Sequence, residues 1–242
     1  MAGEIESRGQ TIRLYDCDHA DVNDVTSDHQ FCYAGCRKKD GSGVARKFDI
    51  ITGDLVKEFV GHEEGITAVG LYGAHLFTAS QDHTARKWNT ETGECEIIFK
   101  GHTSEIFCLD ASRGTLWTAG NDERKAVKCW NIKSEVPSLE FHDAYLGDAV
   151  NALAVASTCV YVCTCRGTVH EYSSSSGMEV RKYVHPCTFV FGMCYTKGRL
   201  FLVGRRGNDT EMPTATAMFA EVQLDYEGIV GGGLASASRL CW

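Results

Sequence analysis

Two stretches of the chain carry the same four chemistry-bearing side chains at nearly the same offsets. In residues 61–89, GHEEGITAVGLYGAHLFTASQDHTARKWN, they are His62, Thr78, Asp82 and Trp88. In residues 101–131, GHTSEIFCLDASRGTLWTAGNDERKAVKCWN, they are His102, Thr118, Asp122 and Trp130. A hydroxyl, an imidazole and a carboxylate are the parts of a nucleophilic active site, in which the ring takes the hydroxyl proton and the acid holds the ring. A nucleophilic site is needed once, however. A set that returns in tandem and serves each copy alike is expected to be architecture.

Other reactive constellations are sparse. There is no Walker loop, no G-x-S-x-G elbow and no H-E-x-x-H. Gly231-Gly232-Gly233 lacks the strand-to-helix context of a phosphate cradle and is expected to be a turn. Ser173-Ser174-Ser175-Ser176-Gly177 is expected as an exposed turn, and Asn208-Asp209-Thr210 is a glycosylation sequon that a cytosolic chain would not present for modification. The twelve cysteines include no C-x-x-C pair. Cys163 and Cys165 share a strand face but have no partner pair, so no metal site is expected. Cys32, Cys108, Cys129, Cys159, Cys163 and Cys194 fall on expected strands, where cysteine packs as a small hydrophobe.

The amino terminus, MAGEIESRGQ, has no apolar core of a signal peptide, and no apolar run reaches the roughly 18 residues of a membrane span. Free thiols in a reducing cytoplasm or nucleus are the expectation. The net charge of −8 disfavours phosphate backbones and anionic membranes as partners, and Arg37-Lys38-Lys39 and Arg205-Arg206 are short and expected in turns.

These side chains must be positioned by short strands. Residues 66–71, 75–80, 84–89 and 94–99 alternate apolar and polar residues and are separated by turn residues at 73–74, 81–83 and 91–93. Aligning on histidine gives His19, His62, His102, His142 and His185, at spacings of 43, 40, 40 and 43 residues. The units close on Phe48-Asp49, Trp88-Asn89, Trp130-Asn131 and Tyr172-Ser173, with Leu224-Asp225 as the fifth closure. Helical periodicity is absent over any useful length. The organisation expected is a disordered 1–8, a repeat array over 9–225 (units near 9–49, 53–89, 93–131, 134–173 and 177–225), and a tail or degenerate blade fragment at 226–242.

Four strands every 40 residues, a Gly-His start and a Trp-Asn finish resemble the WD40-repeat family. The resemblance implies an all-β, WD40 β-propeller with about five recognisable blades. It implies that His62, Thr78, Asp82 and Trp88 form one hydrogen-bonded chain and His102, Thr118, Asp122 and Trp130 the next, with units 1, 4 and 5 softer for want of the full set. It also implies that each strand before Gly-His is the outermost strand of the preceding blade. Residues 11–15 would then complete the last blade, on AMFAEVQL at 217–224. The family usually has seven blades, so five units mean either a ring of five or six or a shortened form of a larger chain, and the second is favoured.

Family propellers bind partners on the face rimmed by the loop after Gly-His and the turn around the Asp. Here that places Glu63, Glu64, Gln81, His83, Ser104, Glu105, Asn121, Glu123 and Arg124 on the rim, with Lys38, Lys39 and Asp40 from unit 1 and Asp143, Tyr145 and Asp148 from unit 4. A modest acidic excess favours a peptide bearing Lys or Arg, and Tyr145 is an aromatic anchor. The expected function is a non-enzymatic protein-interaction scaffold with no cofactor. One alternative is the substrate-recognition propeller of a ubiquitin ligase or kinase whose other domain is absent, although no W-D-x-R occurs for docking a cullin adaptor. A propeller-based enzyme is the other, and acids and histidines converging in the central channel would favour it.

Overall fold

In the computed structural model the described residues are 3–7, 10–122, 126–140, 150–164, 168–184, 189–206 and 216–223. All regular structure among them is β. A hairpin of β1 (Gly3–Ser7) and β2 (Gln10–Leu14) comes first. Sheet 1 follows, with β3 (Asp21–Ser27), β4 (Phe31–Arg37), β5 (Gly43–Asp49) and β6 (Leu55–Val60). Sheet 2 is β7 (Ile66–Tyr72), β8 (His75–Ser80), β9 (Thr84–Asn89) and β10 (Cys95–Lys100). Sheet 3 is β11 (Ile106–Ser112), β12 (Thr115–Gly120), β13 (Val127–Asn131) and β14 (Pro137–Glu140). Sheet 4 is β15 (Val150–Val155), β16 (Cys159–Thr164), β17 (Thr168–Ser173) and β18 (Glu179–Val184). Sheet 5 is β19 (Phe189–Thr196), β20 (Arg199–Arg206) and β21 (Thr216–Gln223).

Each sheet is an antiparallel meander in chain order, and the first strands β3, β7, β11, β15 and β19 pack side by side in sequence. The short alternating runs of residues 66–99 become β7 to β10. The sequence repeat and the sheet are out of phase by one strand, because the run before each Gly-His ends the preceding sheet.

The core lies between sheets. Tyr33, Ala45 and Phe59 of sheet 1 pack on Ile66, Val69, Leu76 and Trp88 of sheet 2, and corresponding clusters join sheets 2 to 3, 3 to 4 and 4 to 5. The closing aromatic of a unit fills this gap. Trp88 meets Phe59 edge-on at 6.0 Å, and Trp130 meets Phe99 at 5.5 Å. Close packing explains two glycines. A Cβ at Gly35 would lie 2.7 Å from Ile66 Cγ2 and Val69 Cγ1, and one at Gly101 would lie 3.3 Å from the Trp130 ring edge. The Gly of Gly-His is therefore space left for the indole that closes the unit.

Every first strand carries a β-bulge at its start, at Val22/Asp24, Ile66/Ala68, Ile106/Cys108, Val150/Ala152 and Val190/Gly192. Three bulged residues bond to the next sheet: Asn23 Nδ2 donates to Ile66 O at 2.7 Å, Thr67 Oγ1 to Ile106 O at 2.6 Å, and Asn151 Nδ2 to Val190 O at 3.2 Å. Asp24 Oδ2 adds a fourth inter-sheet bond, accepting from Val69 N at 2.8 Å.

The structure corrects several expectations. Residues 3–7 form a strand where disorder was expected, and β2 pairs with β1 instead of closing a ring on residues 217–224. Pairing across two intervening residues has a small loop-closure cost, whereas joining the two ends of the chain has a large one. Among the described residues β21 ends sheet 5 beside β20 and the ring is not closed, which agrees with the incomplete ring favoured from the sequence. Leu200 faces Val222 as Leu76 faces Trp88, so the fifth closure falls at Val222-Gln223, two residues before Leu224-Asp225. Arg205 and Arg206, expected in a turn, end β20. Finally, His62 and His102 lie four residues before their bulges, and that position in sheet 1 is Asp18. His19 is one residue further on, exposed, with φ 56°. His142, His185 and the tail 226–242 lie outside the described residues.

Candidate functional site

The corners of sheets 2 and 3 bring each set of four residues together. Trp88 Nε1 donates to Thr78 Oγ1 at 2.9 Å, Thr78 Oγ1 lies 2.7 Å from His62 Nε2, and His62 Nδ1 lies 2.7 Å from Asp82 Oδ2. With His62 neutral and its proton on Nδ1, one direction of donation satisfies every link, from indole to hydroxyl to imidazole to carboxylate. Asp82 also accepts from Glu63 N at 3.1 Å, Thr84 N at 2.9 Å and Thr84 Oγ1 at 2.6 Å.

Sheet 3 repeats the arrangement. Trp130 Nε1 donates to Thr118 Oγ1 at 2.8 Å, Thr118 Oγ1 lies 2.8 Å from His102 Nε2, and His102 Nδ1 bonds Asp122 Oδ2. Thr103 donates to Asp122 through both its backbone N–H and its hydroxyl, the latter at 2.7 Å.

Burial dominates the electrostatics. It lowers the pKa of His62, and the pull of Asp82 only partly opposes it, which keeps the ring neutral. Burial opposes charge on Asp82 too. There the hydrogen bonds from His62 and Thr84 prevail and hold the carboxyl well below the usual carboxylate range. Asp122 is lowered in the same way by His102 and Thr103. Both threonine hydroxyls are fully buried, with an indole N–H on one side and an imidazole on the other. No substrate can reach them, so the triad-like sets are built as corner pins and not as nucleophiles.

The remaining sheets replace the network by apolar pairs. The position of Thr78 and Thr118 is Ala34 in sheet 1, Val162 in sheet 4 and Leu202 in sheet 5, and that of the tryptophans is Phe48 and Tyr172 in sheets 1 and 4. Where the hydroxyl goes, the indole goes with it.

The rim stands above these pins. Gln81 N donates to Gly65 O and Asn121 N to Glu105 O, both at 3.0 Å, which ties each post-Gly-His loop to the turn beside it. Glu63, Glu64, His83 and Asn121 are exposed, while Gln81 and Glu105 are half-buried. His83 takes φ 66°, so the turn projects it outward. Glu63 gives its backbone N–H to Asp82, which leaves its carboxylate free to face solvent. Sheet 1 contributes Lys38, Lys39 and Asp40 and also Arg37, whose side chain packs over Gly65 at 3.0 Å from where a Cβ would be. Arg37 was not legible as a rim residue, since the signal for it is the absence of a side chain at Gly65. Glu123, Arg124, Asp143, Tyr145 and Asp148 lie outside the described residues.

At the opposite end of the first strands is a groove of about 340 Å³, lined by Leu71, Tyr72, Asp110, Arg113, Leu153 and Tyr195 among others. Its charged lining among the described residues is one acid and one base. No group of three or more His, Cys, Asp or Glu converges as a metal site among them.

Similarity to known proteins agrees with this geometry. Residues 53–89 match the family described as WD40: WD domain, G-beta repeat. WD repeat-containing protein pop2 of Schizosaccharomyces pombe is 43% identical over 70 residues, covering 29% of this chain and 10% of that protein. WD repeat-containing protein 37 of Homo sapiens is 34% identical over 89 residues, covering 35% of this chain and 18% of that protein. The chain thus matches only a small part of these relatives' length. Among solved structures, the WD40 beta propeller domain of Doa1 superposes with a TM-score of 0.68 at 18% identity, covering 81% of this chain and 65% of that one. A chain of the Mitotic Checkpoint Complex gives 0.69 at 18% identity, covering 81% and 62%. At such identity the likeness is one of fold, and it is to β-propellers. With the tandem corner pins, the four-stranded meanders and these similarities together, the chain carries a WD40 repeat at residues 53–89 and has the fold of WD40 β-propellers.

Proposed function

We propose that this chain is a non-enzymatic interaction module whose rim over sheets 2 and 3 takes a Lys- or Arg-bearing segment of a partner protein. Propellers of this family are generally protein-interaction scaffolds. The observation that carries the finer reading is the division of labour at the corner. The buried carboxylates Asp82 and Asp122 are consumed by internal bonds, whereas Glu63 and Glu64 stand exposed on the same loops. Neighbouring acids on a fixed loop attract a cationic side chain and reject acidic chains. The net charge of −8 works in the same direction, away from nucleic acid and anionic membrane. No cofactor enters this reading. We place the chain in the cytoplasm or nucleus, where its thiols stay reduced.

Fluorescence anisotropy with a panel of labelled Lys/Arg-rich, neutral and acidic peptides tests this reading. Basic peptides should bind best, and Glu63→Lys with Glu64→Lys should weaken them about tenfold, or ~1.4 kcal/mol. Equal binding by the double variant, or preference for acidic peptides, would show that these glutamates are only solvated loop residues.

A further inference from the structure

Residues 15–20 lie across the face of sheet 1 that points away from sheet 2. Tyr15, Cys17 and Ala20 pack there on Ala34, Cys36, Val44 and Phe48. Tyr15 meets Phe48 edge-on at 5.6 Å, as Phe59 of sheet 1 meets Trp88 of sheet 2 at 6.0 Å. The segment thus supplies the outer aromatic of a joint between sheets, without the inner strands that complete such a joint elsewhere. The inner half of the face stays open. Val22 and Val25 are each 47% exposed, and Cys32 is half-buried. Their counterparts in sheet 2, by the shared register of first and second strands, are Ile66, Val69 and Leu76. All three are fully buried in the cluster they form with sheet 1.

The matching half of that joint stands at the far end of the array. Sheet 5 has three strands among the described residues, and its face away from sheet 4 carries Phe191, Phe201 and Val203. Phe201 takes the position of Tyr33, Phe77, Trp117 and Tyr161, each of which is buried against the following sheet. Phe201 and Val203 are only half-buried. Phe191 is the bulged residue, at the position from which Asn23, Thr67 and Asn151 reach the following sheet, and it is 41% exposed. Among the described residues no core cluster joins sheet 5 to sheet 1.

We propose that the chain self-associates head to tail, with the outward face of sheet 5 in one copy packed on the inner half of the outward face of sheet 1 in a second copy. This is the joint that the chain already makes four times within itself, from sheets 1 and 2 to sheets 4 and 5, so the interface continues an established one. A second copy carries both halves. Phe191, Phe201 and Val203 on one side meet Val22, Val25 and Cys32 on the other, and burial of these exposed apolar groups drives the contact. Arg46, the cation on the sheet 1 face, is already bonded to Cys17 O and to Glu58 Oε1, so it does not oppose the approach. The two patches differ, which makes the contact heterologous: a copy with one face spoiled still offers the other.

Sedimentation equilibrium of the intact chain in reducing buffer, across the micromolar range, is the test. The weight-average mass of wild type should rise with concentration to that of a dimer or beyond. Val25→Arg, which spoils only the sheet 1 face, and Phe191→Arg, which spoils only the sheet 5 face, should each stay monomeric. Their equimolar mixture should recover a dimer and go no further, because one intact face of each kind remains between the two chains. Circular dichroism checks that each variant folds, and Val22→Arg or Phe191→Ser replaces one that does not. A wild-type chain that stays monomeric at every concentration overturns the proposal, and is the result expected if residues 224–242 or a different protein cover the sheet 5 face. A single variant that still associates by itself, or a mixture that remains monomeric, overturns it as well.

Discussion

Thr78→Val is the sharpest test of the corner pins, because it removes one oxygen and leaves the volume of the side chain nearly unchanged. Thr78 Oγ1 is the shared link between Trp88 Nε1, at 2.9 Å, and His62 Nε2, at 2.7 Å. All three side chains are buried, with Thr78 fully so. Valine strands one donor and one acceptor away from water. A buried polar group left unpaired costs about 1–3 kcal/mol, and partial relaxation of the indole and imidazole reduces the sum, so about 2–4 kcal/mol of stability should be lost. The chain supplies its own reason to expect non-additivity. Where the hydroxyl is missing in sheets 1 and 4, the indole is missing too, and Ala34 lies with Phe48 and Val162 with Tyr172. Combining Thr78→Val with Trp88→Phe removes the stranded donor, so the double variant should be more stable than the sum of the singles by about 1–2 kcal/mol. Urea unfolding of wild type, both single variants and the double variant, followed by circular dichroism, gives the cycle. A Thr78→Val midpoint equal to that of wild type, or a strictly additive double, would refute the idea that the hydroxyl is a buried shared link.

Two further outcomes follow from the same corners. Asp82→Ala should cost about 2–4 kcal/mol by orphaning the His62 and Thr84 donors. His83→Ala, one residue on but exposed at φ 66°, should leave the urea midpoint unchanged within error. Acidification should destabilise the fold in two stages. His62 is held below its ordinary 6.5, so as pH falls through 6.5 the unfolded chain binds a proton that the native ring refuses. Asp82 is held below its ordinary 3.8, so its contribution is complete above that value and is lost as pH falls further. Urea midpoints from pH 8 to 3 check the sign, and stability that rises between pH 7 and 5, or a first stage that survives unchanged in His62→Gln, would contradict it.

The legible part of this fold is the part written in distinctive side chains at a fixed period. Trp88 and Trp130 are large and rare, and each needs a glycine beneath it, so Gly-His and Trp-Asn mark their units even in isolation. Thr78 and Thr118 follow because the indole N–H and the imidazole both require a hydroxyl between them. The inter-sheet clasps were not legible, because the same position is Asn23, Thr67 and Asn151, and a carbonyl acceptor imposes no single residue type. The corner position of sheet 1 was missed as well, because alignment on histidine selects His19, whereas four residues before the bulge at Val22 stands Asp18. At the rim, the sequence points to exposed loop residues but cannot tell which of them are held. Gln81 and Glu105 proved half-buried, and Arg37 was invisible until its contact with Gly65 was known.

The distribution of pins and clasps has a consequence for how the array holds together. Sheets 2 and 3 possess both the corner network and, between them, the Thr67 clasp to Ile106 O. Sheet 1 has no corner network, yet it is attached to sheet 2 by the Asn23 clasp, the Asp24 bond to Val69 N and the apolar contacts around Phe59 and Trp88. Between sheets 3 and 4 the bulged residue is Phe107, which has no polar group to donate, and the join there combines the apolar cluster of Trp117, Val127, Val150 and Tyr172 with a bond from Arg113 Nη1 to Ala156 O at 3.3 Å. Apolar burial between sheets is strong but undirected, whereas a side chain bonded to a neighbouring backbone carbonyl fixes the angle between two blades. Sheets 1 to 3 are therefore oriented relative to one another by directed bonds as well as by apolar burial. The rim residues of sheets 1, 2 and 3 thus have a mutual spacing held by backbone bonds on one side and by buried pins on the other. A binding face needs that fixed spacing, because side chains already held in place have less conformational freedom to lose when a partner arrives.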